Sequence, residues 1–388
     1  LIATLAARFG DRLSVAPAVC AHHGRDESTF APMPPDAVVF PHSTEEVAAV
    51  VAACATERVP MIPFGSGSSL EGHVLAPFGG VCIDLTQMDR ILAVRPDDLD
   101  ATVQAGVTRL ALDRHLRDTG LFFPLDPGAD ATLGGMAATR ASGTNAVRYG
   151  TMRENVLALK VVMADGSIVD TGTRARKSAA GYDLTRLIVG SEGTLAIITE
   201  VTLRLHPRPE AVSAAVCAFP TVAAAVQTVI RTIQLGVPVA RCELLNVASV
   251  QAINRHAKLA LREAPMLFCE FHGSTASVRE QAELVESLAV EAGGTGFEWT
   301  TSNEERARLW KARHEAYFAV MALRPNCRVL STDVCVPIAA LAECINATEA
   351  DIAESRLPII LIGHVGDGNF HLGINVDPAN PAEMHEAE

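Results

Sequence analysis

Two histidines near the C-terminal end of the sequence, His364 and His371, are spaced so that both imidazoles could bind one metal ion. The flanking runs 359–365 and 370–376 are strand-like, and Gly-Asp-Gly-Asn at 366–369 is typical of a turn. If this four-residue loop closes a hairpin, His364 pairs directly with His371, with Cβ atoms roughly 4.5 to 5.5 Å apart on one face. That separation suits two nitrogen ligands on one cation. Two ordinary core or surface histidines would give the same pattern.

A second candidate group lies on a helix predicted over 303–323. Helical spacing places four side chains on one face: Arg306, Trp310, Arg313 and Tyr317. Guanidinium groups among aromatic rings can bind a carboxylate through paired N–H donors while the rings exclude water. The alternative is a solvated face with Trp310 packed on the core.

A loop of small residues at 63–72 follows the apolar run 59–62. Short side chains at 65–69 allow successive backbone N–H groups and serine hydroxyls to surround a pyrophosphate. The residue three positions after Gly67 is Leu70, so the Rossmann fingerprint is absent, and the sequence has no P-loop Gly-Lys-Ser/Thr.

A longer glycine-rich stretch at 126–155 is predicted to form the cradle of a large ligand. Thr132 is a good N-cap for helical turns that continue through 136–140, so free N–H groups at Gly134 and Gly135 are expected to face an anion there. The alternative is that the glycines only permit a tight turn. A third glycine-containing loop, 190–194, leads into a predicted strand.

The order of these motifs resembles one known family. The motifs are Pro-Phe-Gly-Ser-Gly-Ser-Ser-Leu-Glu-Gly-His (63–73), Asp-Pro-Gly-Ala-Asp-Ala-Thr-Leu-Gly-Gly (126–135), Tyr-Gly-Thr-Met-Arg-Glu-Asn (149–155), Gly-Ser-Glu-Gly-Thr (190–194) and Gly-His-Val-Gly-Asp-Gly-Asn-Phe-His (363–371). Together they resemble the FAD-linked D-2-hydroxyacid dehydrogenases. This family includes D-lactate dehydrogenases of the cytochrome or quinone type, D-2-hydroxyglutarate dehydrogenases and the glycolate oxidase D subunit. The resemblance extends from about residue 35 to residue 377.

The resemblance implies an α+β fold with a two-lobed FAD-binding domain of the vanillyl-alcohol oxidase or p-cresol methylhydroxylase type. It also implies an α+β cap, an antiparallel sheet with helices on one face, and noncovalent FAD with its pyrophosphate on 65–69. The residues predicted to bind the cofactor are Pro63, Gly65, Ser66, Gly67, Ser68, Ser69, Leu70, Pro127, Gly128, Ala129, Thr132, Gly134, Gly135, Ala138, Ser142, Gly143, Asn145, Tyr149, Gly150, Glu192, Gly193, Ile198 and Asn369. His73 lies beyond the loop and is expected to be structural.

The resemblance further implies oxidation of a D-2-hydroxy acid, with D-lactate favoured. Arg313 corresponds to the arginine that binds the substrate carboxylate, and Tyr317 is expected beside it. His364 and His371 are expected to bind a divalent metal, Zn or Mn, and act with Arg313 in catalysis. Electrons are expected to leave FAD for an external acceptor, namely a quinone, a cytochrome or an electron-transfer flavoprotein.

The sequence departs from the family at several positions. Family members carry a further metal ligand and a base in a Glu-His-Gly tripeptide beyond the second metal histidine, and this tripeptide is absent here. We therefore expect an incomplete metal site, either because a C-terminal segment lies beyond residue 388 or because this member lacks it. Gly373 and Ser331 replace the Asn and Lys of the hydroxyglutarate enzymes, and Leu-Glu-Gly-His at 70–73 is closer to the D-lactate enzymes.

Composition narrows the class of protein. The 388 residues suffice for about two domains, and the net charge of −13 argues against nucleic-acid binding, which needs clustered Lys and Arg. The nine cysteines form no C-x-x-C pair, which favours reduced thiols in a cytoplasmic protein. A peripheral position at a membrane, through the electron acceptor, is the alternative location. A homodimer is possible.

Two domains are expected, with the boundary at His-Pro-Arg-Pro, 206–209. Residues 1–208 are predicted to form the FAD-binding domain, and 209–388 the substrate cap with the metal-site hairpin. Other functions remain open: a glycolate oxidase type subunit or a D-2-hydroxyglutarate dehydrogenase, a non-catalytic flavin-carrying subunit, and a nicotinamide dehydrogenase, which the missing Rossmann fingerprint disfavours.

Overall fold

The structure is a computed structural model that describes residues 1–175, 177–324 and 326–388, apart from the side chains at 312, 314 and 317. The chain divides into two compact units. Unit 1 comprises 1–143 and 149–208, and unit 2 comprises 144–148 and 209–388. The chain therefore enters unit 2 twice, first through a five-residue segment and then for its whole C-terminal part.

Unit 1 alternates short helices with short strands. Its elements are α1 (Ile2–Phe9), β1 (Leu13–Ser14), α2 (Pro17–His23), β2 (Ala37–Val39), α3 (Thr44–Glu57), β3 (Met61–Phe64), β4 (Val81–Asp84), β5 (Ile91–Arg95), β6 (Asp100–Gln104), α4 (Arg109–His115), β7 (Leu121–Phe122), α5 (Leu133–Ala138), α7 (Met152–Asn155), β8 (Val156–Met163), β9 (Ile168–Asp170), α8 (Leu184–Ile188), β10 (Ala196–Arg204) and β11 (His206–Pro207), and α6 (Ala146–Tyr149) lies where the chain passes through unit 2.

Two sheets give unit 1 its two lobes. One has the order β1-β2-β4-β3, with β2, β4 and β3 parallel, and the other is the antiparallel sheet β5-β6-β10-β8-β9. Helix α3 buries Val47, Val50 and Cys54 in a core that contains residues of β2 and β4 from the first sheet and of β8 and β10 from the second, as expected for a stripe of apolar residues at helical spacing. Helix α5 buries Leu133 and Met136 in the core of the second sheet.

Unit 2 is built on one large sheet. Its elements are β12 (Ala211–Ala218), α9 (Val222–Gln234), β13 (Val239–Leu245), α10 (Val247–Ala257), β14 (Met266–Gly273), α11 (Thr275–Glu291), β15 (Thr295–Thr300), α12 (Asn303–His314), α13 (Ala316–Leu323), β16 (Arg328–Ser331), β17 (Val334–Cys335), α14 (Leu341–Ile352), β18 (Ile359–His364), β19 (Asn369–Val376) and α15 (Pro381–Ala387). The strand order is β15-β12-β14-β13-β18-β19-β16, with β17 also paired to β19, and every pair is antiparallel.

The helices of unit 2 pack on both faces of this sheet, and the prediction of helices on one face is wrong in that respect. Helices α9, α11 and α14 cover the face that carries Cys269 and Phe271. Helices α10, α12 and α13 cover part of the opposite face, which carries Met266 and Phe268. Strand β14 has apolar residues on both sides, so each face needs a covering layer.

The hairpin β18–β19 has a different register from the one predicted. His364 pairs with Asn369, and His371 pairs with Ile362, so the two histidines are diagonal neighbours and not direct partners. The turn occupies 365–368 because Gly368 takes a φ of 75°, a conformation that glycine adopts more readily than asparagine. Both histidines still lie on the same face of the sheet. His371 is paired with Ile362, and Ile362 shares a face with His364, which is two residues further along the same strand.

The helix predicted over 303–323 is two helices, α12 and α13, which meet at Glu315. They pack on different parts of the sheet, α12 near β12 and β14, and α13 near β19. Trp310 and Arg313 therefore belong to one helix, and the segment containing Tyr317 belongs to the next. The side chain of Tyr317 lies outside the described residues, so its predicted place beside the substrate stays a prediction.

Local patterns in the sequence predict several of these elements. The capping box Ser43-Thr44-Glu45-Glu46 predicts a helix to about residue 57, as in α3, and the runs 156–163 and 167–171 on either side of Asp-Gly predict the hairpin β8–β9. All nine cysteines have free thiols. Among the helices of the described chain, none combines the length and apolar character needed to cross a bilayer.

Packing at Gly134 generates a testable prediction. A Cβ added there would lie 2.5 Å from the Cβ of Ala105 and 2.9 Å from its carbonyl oxygen. Since that backbone belongs to a packed interior, we expect Gly134→Ala to lower the free energy of unfolding by about 1–3 kcal/mol, measured by urea titration.

Gly135→Ala is the matched control, because a Cβ there would approach only the Thr132 hydroxyl, at 2.9 Å. The change also gains up to about 1 kcal/mol of helix propensity, so a smaller loss is expected. Equal losses in the two variants would show that close packing on Ala105 is not what requires glycine at 134.

The Arg12–Glu46 ion pair predicts a pH-dependent contribution to stability. Arg12 donates two hydrogen bonds, of 2.6 and 2.8 Å, to the Glu46 carboxylate, and the His42 N–H donates a third. These contacts lower the pKa of Glu46 from its ordinary value to about 2. The stabilisation is therefore complete above the unfolded pKa near 4.5 and is lost as the pH falls through the folded pKa.

We expect Glu46→Gln to cost about 1 kcal/mol of unfolding free energy at pH 7, because solvent screens this half-exposed pair. At pH 3, between the unfolded pKa and the folded pKa of about 2, the difference from the wild type should fall to about half of its value at pH 7. Urea titrations at the two pH values measure it, and a difference that does not change with pH would contradict the assignment.

Candidate functional site

A large open cavity lies in unit 1. It has an empty volume of about 1070 Å³ and is lined by the loop 65–69, by α5 and the segment before it, by 192–193 and by the start of β10. Its walls are mainly apolar, and its polar groups come from serine and threonine hydroxyls, His73 and Glu192. Such a cavity suits a large, mostly flat ligand with one anionic part.

The loop 65–69 supplies the donors for that anionic part. Within the described part of the chain, none of its five backbone N–H groups donates to a protein acceptor. Among the described residues, the hydroxyls of Ser66 and Ser68 bond to each other at 3.0 Å, whereas the Ser69 hydroxyl bonds to His73. Gly67 takes a φ of 65°, which turns the backbone tightly. Successive free N–H groups in a tight turn form a concave site for an anion.

The expected anion site at the start of α5 is not present, and this prediction is wrong. The N–H of Leu133 donates to Val107 O at 2.8 Å, and that of Gly134 donates to Ala105 O at 2.9 Å. The N–H of Gly135 donates to the hydroxyl of the N-cap, Thr132. The first three donors of the helix are therefore used inside the protein, and Gly134 allows close packing on Ala105, the residue after β6.

Most of the predicted cofactor residues line this one cavity. They are Pro63, Gly65, Ser66, Gly67, Ser68, Ser69, Pro127, Ala129, Thr132, Gly134, Gly135, Ala138, Glu192, Gly193 and Ile198. Outside the lining are Leu70, Gly128, Ser142, Gly143, Gly150, Tyr149, Asn145 and Asn369. The apolar residues Leu85, Ala105, Met136 and Ile197 also line the cavity and were not predicted, because only the fold brings them to its wall.

Three of the residues outside the lining have other partners. The Tyr149 ring packs edge-on against His206, with centroids 4.9 Å apart. Asn145 belongs to unit 2, where its side-chain oxygen accepts a hydrogen bond of 2.9 Å from Arg241. Asn369 donates to Asp333 and to Val334 O, and so ties strand β19 to the segment beside it.

His73 stands in the cavity wall with both ring nitrogens engaged. Nε2 is 2.9 Å from a Glu192 carboxylate oxygen, and Nδ1 bonds to the Ser69 hydroxyl. The ring thus links the loop 65–69 to the loop 190–194. These contacts agree with the prediction that His73 has a structural role and is not a site of covalent flavin attachment.

A group of charged side chains lies on one face of the unit 2 sheet. At its centre is Glu243 on β13, whose side chain is only 1% exposed. One carboxylate oxygen accepts from Arg313 Nε at 2.8 Å, and the other lies 2.7 Å from His364 Nδ1. Burial would raise the pKa of Glu243, but the charges of Arg313 and His364 outweigh it and hold that pKa below its ordinary value. The carboxylate is therefore ionised.

His364 and His371 stand next to each other on this face, with ring centroids 5.1 Å apart and ring planes nearly perpendicular. His371 Nδ1 lies 3.0 Å from the carbonyl oxygen of Thr332, so it donates. His364 Nδ1 likewise faces the Glu243 carboxylate. In the neutral form of each ring, Nε2 then carries the lone pair that can bind a metal ion, and each ring has the outer partner typical of a metal-ligating histidine.

The donor set for a metal ion is incomplete in the described residues, among which no group of three His, Cys, Asp or Glu side chains is placed to bind one. Burial, followed by the His364 charge, lowers the pKa of His371, which keeps its Nε2 unprotonated near neutral pH. Burial also raises the pKa of Asp367 in the hairpin turn to about 6. In their neutral forms the two histidines thus offer two nitrogen ligands on one face of the sheet.

Of the side chains predicted on one helical face, the structure describes Arg306, Trp310 and Arg313, and among these three only Arg313 belongs to this group. Its Nε and one terminal nitrogen are both 2.8 Å from the same Glu243 oxygen, so the side edge of the guanidinium is occupied and the outer N–H groups remain for a ligand. Trp310 is 5% exposed and packs on Phe268, as the alternative reading had it. Arg306 donates to Asn303 within its own helix.

A second buried carboxylate lies on the same face, one strand away. Glu270 on β14 is bonded to His272 at 2.8 Å and lies 3.4 Å from Arg241 Nε. Burial would raise its pKa, but His272 and Arg241 lower it below the ordinary value. The two clusters share their chemistry, a buried glutamate between an arginine and a histidine, but only Glu243 contacts a residue of the histidine pair.

Sequence reasoning missed Glu243, although a signal was present. It lies in Val-Ala-Arg-Cys-Glu-Leu-Leu, a strand-like run in which a carboxylate sits between residues that bury. Ionised side chains are almost never fully buried unless they are paired. A charge inside such a run therefore indicates an ion pair or a functional site, but its partners, 70 and 121 residues further along the chain, are visible only in the fold.

Comparison with known families matches both parts of the chain. Residues 35–172 match "FAD binding domain", and residues 208–388 match "FAD linked oxidases, C-terminal domain". The first match contains the loop 65–69 and α5, and the second contains the Glu243 group.

Several curated proteins are similar over most of the chain. A probable mitochondrial D-lactate dehydrogenase of Danio rerio is 54% identical, covering 96% of this chain and 76% of that protein. A mitochondrial D-lactate dehydrogenase (cytochrome) of Arabidopsis thaliana is 48% identical, covering 94% and 65%. The glycolate oxidase subunit GlcD of Bacillus subtilis is 34% identical, covering 91% and 76%. The chain thus spans about two thirds to three quarters of these relatives.

Solved structures share the fold at low sequence identity. A p-cresol methylhydroxylase matches with a TM-score of 0.80 at 17% identity, over 100% of this chain and 84% of that one. An alkyldihydroxyacetonephosphate synthase matches with a TM-score of 0.79 at 20% identity, over 100% and 82%. The predicted α+β fold, with an FAD-binding domain of the p-cresol methylhydroxylase type, is confirmed. With its two family matches and its relatives, the chain belongs to the FAD-linked dehydrogenases that include D-lactate dehydrogenases and glycolate oxidase subunits.

Proposed function

We propose that this protein oxidises a D-2-hydroxy acid, with D-lactate as the favoured substrate, to the 2-keto acid, using noncovalent FAD and an external electron acceptor. The observation that carries the proposal is the group on the unit 2 sheet, in which one buried glutamate holds an arginine and a histidine beside a second histidine. The similarity to proteins named D-lactate dehydrogenase supports the choice of substrate.

FAD fits the unit 1 cavity. The free N–H groups of the loop 65–69 would bind its pyrophosphate. Of the three predicted glycine-rich loops, this is the only one in which no backbone N–H group has an acceptor among the described residues. The apolar wall would cover the flat parts of the cofactor. Bound FAD supplies a two-electron acceptor, and the protein contributes position and a dry surrounding.

The substrate carboxylate would bind to the outer N–H groups of Arg313. Glu243 neutralises part of the arginine's charge but leaves it a donor, which suits an anion that must enter and leave. The neutral Nε2 atoms of His364 and His371 would lie at the hydroxyl side of the substrate. Electrons then pass to a quinone, a cytochrome or an electron-transfer flavoprotein.

The strand pair β16–β19 supports a substrate with one carboxylate. Ser331 and Gly373 are direct partners across this pair, and Gly373 shares the face of His371. These are the positions at which the resemblance places Lys and Asn in hydroxyglutarate enzymes. A Cβ at 373 would meet Ile360 and Val320, so the surroundings are apolar. Small, apolar surroundings favour the methyl group of lactate over a second carboxylate.

A divalent metal, Zn or Mn, is part of the proposal. His364 and His371 would each bind it through Nε2, and the remaining ligands would come from substrate, water or groups outside the described residues. Such an ion would act as a Lewis acid on the substrate oxygens. The outer partners of the two rings, the Glu243 carboxylate and the Thr332 carbonyl, support this assignment.

We expect D-lactate to bleach the flavin band of the purified protein under anaerobic conditions, because the Arg313 and histidine group suits a small 2-hydroxy acid. L-lactate, glycolate and D-2-hydroxyglutarate should bleach it much more slowly. Faster bleaching by glycolate would favour a glycolate oxidase type subunit. A flavin band that none of the four acids changes would contradict the enzyme and favour a non-catalytic flavin carrier.

The control for the same experiment uses two arginines of α12. Arg313→Gln removes the donor proposed for the carboxylate and should lower kcat/KM for D-lactate by about 100-fold. Arg306→Gln changes an arginine that is bonded to Asn303 and should stay within a few-fold of the wild type. Equal values for the two variants would remove Arg313 from the site.

A further inference from the structure

Glu243 connects three separate elements of unit 2 with one side chain. It stands on β13, while Arg313 belongs to α12 and His364 to the end of β18. A side chain that is 1% exposed and ionised must be held by its partners, and each partner takes a different oxygen. The orientations of Arg313 and His364 therefore depend on the same carboxylate.

The two oxygens impose two different constraints. One oxygen takes both Nε and a terminal nitrogen of Arg313, which fixes the plane of the guanidinium and directs its free edge away from β13. The other accepts from His364 Nδ1, so the neutral ring carries its proton there and its lone pair on Nε2. The neighbouring His371 is fixed in the same way by a backbone carbonyl, which no substitution removes.

We infer that Glu243 is a positioning residue, which sets the tautomer of His364 and the orientation of Arg313 for the reaction. This inference rests on the proposed function, since it assigns a purpose to the two groups that Glu243 holds. Glutamine at this position could present its NH₂ group to His364 Nδ1. The ring would then carry its proton on Nε2, which has no lone pair for a cation in that form.

Glu270 provides the matched comparison. It is buried on the adjacent strand, and it too is bonded to a histidine and lies near an arginine. Replacing either glutamate by glutamine removes one buried charge from the same sheet, so the two variants should lose similar amounts of thermal stability. Only the substitution at 243 should change the orientation of Arg313 and the tautomer of His364.

The test compares Glu243→Gln and Glu270→Gln in the full flavin-loaded chain. Binding of Mn²⁺ alone is followed by the electron paramagnetic resonance of the free ion, and flavin reduction by D-lactate is followed anaerobically. We expect Glu243→Gln to weaken Mn²⁺ binding by about 10–100-fold. It should also raise the half-saturating D-lactate concentration and lower the limiting rate, while Glu270→Gln stays within about 3-fold of the wild type on each.

Equal values for the two variants on both readouts would overturn the inference. If no hydroxy acid reduces the wild type, the proposed function fails, and the Mn²⁺ comparison alone decides the role of Glu243. If the wild type is reduced but binds no Mn²⁺, the D-lactate comparison decides. A wild type with neither property overturns both proposals.

A second pair of variants covers the case in which Glu243→Gln does not fold. Glu243→Asp keeps the charge but is one methylene shorter, so it cannot reach both partners in their present positions. We expect it to lower the limiting rate of flavin reduction more than Glu270→Asp does. A smaller or equal effect would again overturn the inference.

Discussion

The buried charge of Glu243 is the constraint on which the unit 2 site depends. A carboxylate in the middle of a sheet is stable only if cations and donors surround it, and Arg313 and His364 do so from two other elements. Because each oxygen has its own partner, the charge that stabilises the cluster also orients it. The outer edge of the arginine is turned away from the carboxylate, and the His364 ring directs Nδ1 to Glu243 and stands beside His371.

In unit 1 the corresponding constraint is the pairing of backbone N–H groups. Glycine-rich stretches in the chain look alike in sequence, but they use their donors differently. At 133–135 the donors bond to the segment that follows β6 and to the N-cap, whereas at 65–69 no described residue accepts them. Successive open N–H groups beside a large cavity form a candidate anion site. That contrast supports the proposal that 65–69 binds the pyrophosphate of FAD.

Local features of the fold were largely predictable. The N-cap at Ser43, the apolar strand β8 and the Asp-Gly turn depend on neighbouring residues, which a sequence shows directly. The register of β18–β19 was not predictable, because it depends on which residue of the turn takes a positive φ.

The partners of Glu243 were not predictable for a different reason. Spacing along one helix suggested that Arg306 and Trp310 would share the site with Arg313. Packing instead buries Trp310 against Phe268, and Arg306 donates a hydrogen bond to the side chain of Asn303. Contacts between residues far apart in sequence depend on the packing of whole elements, and motif order located the site only to the right segments of the chain.

The most direct measurement is the limiting rate of anaerobic flavin reduction with D-lactate and with D-lactate deuterated at C2. If the protein breaks the C2–H bond of a D-2-hydroxy acid and transfers both electrons to FAD, the deuterated substrate must reduce the flavin several-fold more slowly. Loss of the flavin band with that isotope effect is the predicted result. A flavin that D-lactate leaves oxidised, or one reduced at the same limiting rate by both substrates, would contradict the account.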